Sequence, residues 1–301
     1  MTPLCTFASN QRISLAWAGG TAFLTAERDL QRLEGDRFRP LTRFSDRVHQ
    51  MQASADGGFL GVGCGRVGYI TDLDGQVTAT IDAAACKAGV DAVIPLDGAR
   101  ALVHLSGNGL GLWSPEGFRS FEQKARHSSA NEGLSPDHRW AVAIGAEAMT
   151  RIFDVVSGKQ IKTLNEGCDG SCSVVFSADG ALLAHGRRKG GNAVVVRSVG
   201  KKWNEVQTIP LPAFDGASVR VGPSRLGFSP DAARLWVVEH DIGTSARLTV
   251  WQRESGTLLH EVLLPGGASH EWPWRAAGDG HTIVVVMHSA DGSNLHRFVL
   301  P

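Results

Sequence analysis

Apolar positions along this chain come in short runs, broken at near-regular intervals by turns built on Gly, Asp, Ser and Pro. Six units share one frame, an apolar stretch, a turn carrying Asp, and a second apolar stretch. They are Gln52-Ala-Ser-Ala-Asp56-Gly-Gly-Phe-Leu60, Ile94-Pro-Leu-Asp97-Gly-Ala-Arg-Ala-Leu102, Leu134-Ser-Pro-Asp137-His-Arg-Trp-Ala-Val142, Phe176-Ser-Ala-Asp179-Gly-Ala-Leu-Leu183, Phe228-Ser-Pro-Asp231-Ala-Ala-Arg-Leu235 and Ala276-Ala-Gly-Asp279-Gly-His-Thr-Ile283. From Asp to Asp the spacings are 41, 40, 42, 52 and 48 residues. A seventh unit without the Asp, Leu15 to Leu24, turns at Gly19, 37 residues before Asp56.

A two-strand reversal explains the repeated turn, since Asp can bond its own backbone two residues on and a following Gly tolerates positive φ. Each anchor therefore closes the hairpin between the first and second strands of a unit. Second strands read as Leu182 to His185, Leu235 to Glu239 and Ile283 to His288. Third strands read as Val67 to Asp72, Leu110 to Ser114, Thr150 to Val155, Ala193 to Ser198 and Arg247 to Gln252. Fourth strands follow a further turn, as in Lys159 to Leu164 and Thr257 to Leu264.

Four strands per period of this length make one propeller blade. The expected fold is all-β, one seven-bladed β-propeller domain over residues 1–301, with four-stranded antiparallel blades. The last unit supplies only three strands, near Trp272 to Ala277, Thr282 to His288 and Leu295 to Leu300. Pro3 to Ala8 has no blade of its own, and pairing it beside Leu295 to Leu300 would cover the open edge as the outer strand of blade seven.

The pattern resembles the WD40-like propellers over essentially the whole chain. Val174-Val-Phe-Ser-Ala-Asp-Gly180 matches best, with Leu226-Gly-Phe-Ser-Pro-Asp231 close behind. The family's Trp-Asp dipeptide at the end of third strands is echoed by Phe153-Asp154, Trp251-Gln252 and Trp113-Ser114. No unit carries its Gly-His dipeptide; His127 and His270 lie ten and nine residues before the turn Asp, without the Gly. Related propeller groups, among them bacterial lactonases, share the same architecture.

Composition then narrows the function. Of 301 residues 43% are hydrophobic, enough for a large core, which excludes wholesale disorder. Thirty basic and thirty acidic residues cancel, so broad attraction to nucleic acid or to an anionic membrane is not expected. No apolar run approaches the roughly 18 residues of a membrane span, and Met1 to Asn10 lacks the layout of a secretory signal. Five cysteines, none after Cys172, do not form a disulfide framework. The expectation is a cytoplasmic protein with reduced thiols.

The six turn Asp residues occupy one structural place in every unit and read as turn formers. Cys168-Asp-Gly-Ser-Cys172 has neither the spacing of a redox or zinc pair nor a second pair to complete a site. No Gly-x-Ser-x-Gly elbow, phosphate loop or His-Glu-x-x-His appears. Gly61, Gly63 and Gly65 alternate along a strand and do not open a helix. His185-Gly-Arg187-Arg188-Lys189 is the compact basic cluster, between the second and third strands of blade five.

In a propeller the second-to-third-strand loops and the blade-to-blade loops share one face. That assignment gathers His49, Arg66, Asn108, His127, Arg187, Arg188, Lys189, His240, Asp241, His270, Trp272 and His288. Such a set suits a polar binding rim, with Arg and Trp as the residue types that carry interface energy. The expected function is non-catalytic recognition of a protein partner, as a scaffold subunit or as a stoichiometric inhibitor such as a bacterial immunity protein capping a toxin, with no cofactor, metal, nucleic acid or membrane. The alternative is a small-molecule hydrolase of lactonase type with a polar or metal site at the channel mouth.

Overall fold

The computed structural model describes residues 4–7, 13–83, 88–107, 109–121, 132–144, 149–165, 172–189, 192–212, 225–240, 246–264, 275–289 and 292–299. Every regular element among them is a strand. After β1 (Cys5–Phe7), the first sheet holds β2 (Ile13–Ala18), β3 (Thr21–Ala26), β4 (Asp29–Glu34) and β5 (Arg37–Arg43). The second holds β6 (Gln50–Ala53), β7 (Phe59–Cys64), β8 (Val67–Asp72) and β9 (Val77–Asp82), and the third β10 (Val90–Pro95), β11 (Ala101–Leu105), β12 (Gly109–Ser114) and β13 (Gly117–Ser120). The fourth is β14 (Glu132–Leu134), β15 (Trp140–Ile144), β16 (Thr150–Asp154) and β17 (Gln160–Leu164); the fifth is β18 (Val174–Phe176), β19 (Leu182–Arg187), β20 (Ala193–Ser198) and β21 (Glu205–Pro210). The sixth is β22 (Arg225–Phe228), β23 (Arg234–His240), β24 (Ala246–Gln252) and β25 (Thr257–Leu264).

The seventh sheet joins β26 (Arg275–Gly278), β27 (Thr282–Ser289) and β28 (Gly292–Val299) to β1. All seven sheets are four-stranded and antiparallel, in chain order except for this exchange. Cys5 pairs with Leu295 and Phe7 with Ser293, and the Thr6 hydroxyl donates to Asn294 Oδ1 at 2.8 Å. The N-terminal strand thus completes the last blade, as expected. β28 begins at Gly292, three residues before the expected Leu295, because it pairs β27 along that strand's whole length.

The sheets fall into two compact units. One, Gln11–Ala146 with Thr150–Leu164, holds the first four sheets; the other, Met1–Asn10, Glu147–Met149 and Asn165–Pro301, holds the last three. Within each unit apolar side chains from neighbouring sheets interlock. In the first, Phe23 and Leu30 pack with Met51 and Leu60, and Ile70 packs with Val93 and Val103. In the second, Val194 and Val196 meet Leu226 and Leu235, while Trp236 and Leu248 meet Ile283 and Val285. Middle strands are covered on both faces, which is why Ile283 to Val286 reads as a continuous apolar run.

All six anchor Asp residues build their turns in the expected way. The Oδ1 atoms of Asp56, Asp97, Asp137, Asp179, Asp231 and Asp279 each accept from the backbone N–H two residues on, at 2.9 to 3.1 Å. Four turns add a serine two residues earlier, whose hydroxyl donates to the same carboxylate: Ser54, Ser135, Ser177 and Ser229. Those serine oxygens also accept from the N–H groups of Phe59, Trp140, Leu182 and Arg234, fastening the start of each second strand. Gly61 and Gly63 mark a close approach of backbones. A Cβ on Gly61 would stand 2.2 Å from Val93 O, and one on Gly63 2.8 Å from Asp91 O.

One chemical expectation is corrected. Cys172 is fully buried and disulfide-bonded, so the thiols are not all reduced and Cys172 is not an incidental loop thiol. Cys64 is a buried free thiol whose pKa burial pushes up to about 12, which makes it a packing group and a poor nucleophile at neutral pH. Among the described residues no helix is long and apolar enough to cross a membrane.

Candidate functional site

In the first unit two of the expected rim residues come together. His49 enters β6, and its N–H donates to Gly63 O at 2.8 Å. Arg66 stands in the β7–β8 turn just after Gly65, whose φ of 70° suits glycine. A Cβ on Gly65 would lie 3.6 Å from Asp46 Oδ2 and 3.7 Å from His49 Nε2, so His49, Asp46 and the Arg66 turn crowd one sheet end. His49, Asp46 and Arg66 are all exposed.

The third sheet continues this cluster. Val90 N donates to Gly65 O, and Ser106 N donates to Gly89 O at 2.8 Å. The Ser106 hydroxyl donates to Asp91, 2.6 Å from both carboxylate oxygens. His104, 2% exposed, has its Nδ1 4.0 Å from Asp91 Oδ2. Asp91 stands between the serine and the histidine, the reverse of a nucleophile relay, in which a histidine base must touch the serine.

In the second unit the basic cluster ends β19, but its members differ. The Arg187 guanidinium turns back over its own sheet, 3.5 Å from Glu205 Oε2 and from Thr208 Oγ1. Glu205 also receives Arg197 Nη2 at 3.5 Å, while Arg197 Nε donates to His185 Nε2 at 3.2 Å and the other His185 nitrogen lies 2.9 Å from Gly186 O. With Arg197 donating to Nε2, the tautomer that fits carries its proton on Nδ1, toward Gly186 O. Arg187 is therefore a braced residue; Arg188, half-buried, and Lys189, exposed, lead on from it.

The register position of Arg187 is filled in the sixth sheet by Glu239. Its Oε2 accepts from Arg247 Nε at 2.9 Å across β23 and β24. Arg247 also donates to Pro212 O and approaches Glu261 Oε1 at 3.5 Å. Burial pushes the Glu239 carboxyl up, against the pull of Arg247. At the starts of the first strands β22 and β26, Arg225 and Arg275 hold equivalent registers, opposite Val238 and Val286. Burial, with the charge of Arg275 beside it, brings Arg225 down to about 9.

His127, Asp241, His270, Trp272 and Asn108 lie outside the described residues, and the side chains of His240 and His288 do so too. The sequence reading missed Asp46, Asp91, His104, Ser106, Glu239, Arg247, Arg225 and Arg275. A charged residue inside an apolar strand run, as in Leu235 to Glu239 or Ala246 to Trp251, was the available signal. Among the described residues no three His, Cys, Asp or Glu side chains are grouped to hold a metal ion.

No family model and no curated protein matches this chain. Solved structures do, in 1666 chains, so the architecture is common and carries no function by itself. One is a chain from the crystal structure of the mitotic checkpoint complex, similar over 99% of this chain and 95% of that one, at a TM-score of 0.73 and 16% identity. The fold is a seven-bladed β-propeller. The resemblance to WD40-like propellers read from the Asp turns thus holds at the level of the fold, without detectable family sequence.

Proposed function

We propose that this propeller works by binding another protein, without catalysis, through loops at sheet ends, those of His49 and Arg66 in the first unit and, taken by itself, that of Arg188 and Lys189 in the second. The carrying observation is the cluster of His49, Asp46, Arg66, Asp91 and Ser106 at one end of the second and third sheets. It presents charges and hydrogen-bonding groups at one sheet end, with the Ser106 hydroxyl held by the Asp91 carboxylate. The turn ends, by contrast, spend their polar groups internally, the Asp carboxylates on their own backbone and on serine. Specific recognition needs an asymmetric surface, and the loop ends differ from sheet to sheet. The similar chain from the mitotic checkpoint complex sits in an assembly of proteins, which favours a partner of the same class. The finer roles proposed are a scaffold subunit or a stoichiometric inhibitor, such as an immunity protein capping a toxin, acting in the cytoplasm.

The test is capture from the native host followed by size exclusion of the reconstituted pair. Arg66→Glu, and Arg188→Glu with Lys189→Glu, should each weaken the complex by at least about 1 kcal/mol. Trp272→Ala tests the apolar anchor expected from the sequence. Asp137→Ala on the turn end should leave affinity unchanged. An affinity series with the opposite ranking overturns the placement.

A further inference from the structure

The free edge strands of the seven sheets are not alike. A sheet edge offers unpaired N–H and C=O groups to any extended chain, and proteins blunt it with charge, proline, bulges or shortness. β5 carries Arg37, Arg39 and Arg43 with Pro40; β17 carries Lys162; β21 ends at Pro210; β13 has four residues and β1 three. β9 has six residues and no lysine, arginine or proline, but it ends in Asp82 and Val77 is its one exposed large apolar side chain. β25 has eight residues and no lysine, arginine or proline. A bulge at Leu259 twists its first part, but from His260 to Leu264 the strand is regular, and among the described residues no strand pairs with its outer side.

That stretch is also apolar. Leu263 is 72% exposed, with Leu258 at 37% and Leu259 at 38%, while Leu264 and Val262 anchor the strand from the inner side. The apolar strip continues onto β21, where Val206 is 48% exposed; a Cβ on Gly256, in the turn before β25, would lie 2.9 Å from Gln207 Nε2. Leaving a leucine this exposed on a long edge strand costs solubility unless something covers it.

Charge identifies the occupant. Glu261 shares Arg247 with the buried Glu239, two carboxylates on one guanidinium, which leaves the edge acidic. A second copy fits poorly. Antiparallel self-pairing sets side chains of one face opposite each other, so within the strand Glu261 would meet another Glu261, Leu259 or Leu263. We propose that the edge of β25 takes up an extended segment of a partner protein by strand addition, with apolar side chains against Leu259 and Leu263 and a lysine or arginine opposite Glu261. This surface is separate from the loop ends and does not depend on their role.

The probe is a short capped peptide whose every second residue reads valine, lysine, valine, with threonine between, so that one face carries Val-Lys-Val; it is compared by fluorescence anisotropy with one in which glutamate replaces the lysine. The lysine peptide should bind about tenfold more tightly, and β25 amides should gain hydrogen-exchange protection. Leu263→Lys, an exposed change that leaves the fold intact, should weaken it about tenfold, and Glu261→Gln should remove the preference for lysine. Arg66→Glu, which tests the loop ends, should leave peptide binding unchanged. Absence of binding, equal binding of both peptides, or indifference to Leu263→Lys overturns the proposal. A dimer of the free protein that Leu263→Lys dissolves assigns the edge to a second copy and overturns it equally.

Discussion

Glu239 and Arg247 face each other across β23 and β24, with a 2.9 Å bond from Arg247 Nε to Glu239 Oε2, and their side chains are 1% and 4% exposed. Among the described residues Glu239 Oε1 has no hydrogen-bond partner. In the ladder the pair is flanked by Val238–Leu248 on one side, and Arg247 also meets Pro212 O and Glu261. Removing one partner leaves a buried charge uncompensated. Glu239→Leu or Arg247→Met should each cost about 3 to 5 kcal/mol, and the double variant distinctly less than either. Urea unfolding of the three variants measures this, and a double variant worse than both singles refutes it.

The same carboxyl predicts a pH effect of definite sign. Because burial raises the Glu239 pKa in the folded state, the folded protein holds this proton more tightly than the unfolded chain. Its contribution to stability is full below the ordinary glutamate pKa and is lost as pH rises through the folded value. Wild type minus Glu239→Gln should therefore show a thermal midpoint difference that falls with rising pH above about 4.3. A difference that is flat, or that rises, excludes the mechanism.

The turn carboxylates act in the opposite direction. The Ser177 hydroxyl and the Ala181 N–H hold Asp179 below the usual carboxylate range, and Ser54 and Gly58 do the same for Asp56. Their stabilisation is present above the unfolded pKa and is lost as pH falls through the lower folded value. Asp179→Ala should cost about 1 kcal/mol at neutral pH, with the deficit shrinking in acid. Denaturant titration of both proteins at neutral pH and near pH 3 checks the trend.

Deleting residues 1–8 removes β1 and uncovers the edge of β28, whose hydrogen bonds to Leu4, Thr6 and their neighbours are then lost. The truncated chain should melt lower and aggregate, since an unpaired edge is a template for further pairing. Unchanged thermal stability and a monodisperse profile would sink this expectation.

The propeller was legible because its turns are local chemistry. Asp bonding two residues on needs no distant partner, so Asp56, Asp97, Asp137, Asp179, Asp231 and Asp279 announce their hairpins in the sequence, and the strands named from it follow within three residues. The bent-back position of Arg187 was not legible, because it depends on Glu205, eighteen residues on, lying opposite Arg197 across a bulged strand. Likewise Asp91 and His49 come near Gly63 from two different sheets only through the approach of β10 to β7. Side-chain partnerships made between strands and sheets are set by register and packing, and local pattern does not encode them.

The geometry around Ser106 makes the last prediction. Attack by a serine on a lactone or ester needs a base that takes its proton, held within hydrogen-bond reach. Ser106 donates to Asp91, a half-buried carboxylate, and buried His104 approaches that same carboxylate at 4.0 Å, so the carboxylate and not the histidine holds the hydroxyl. The expected role of Ser106 is to order its loop through this bond. The purified protein should show no lactone or ester hydrolysis above background, and Ser106→Ala should change thermal stability by about 1 kcal/mol or less. Elemental analysis should find well under one transition metal per chain. Hydrolysis that Ser106→Ala abolishes, or one bound metal per chain lost together with activity in His49→Ala, would reverse the ranking and make this propeller an enzyme.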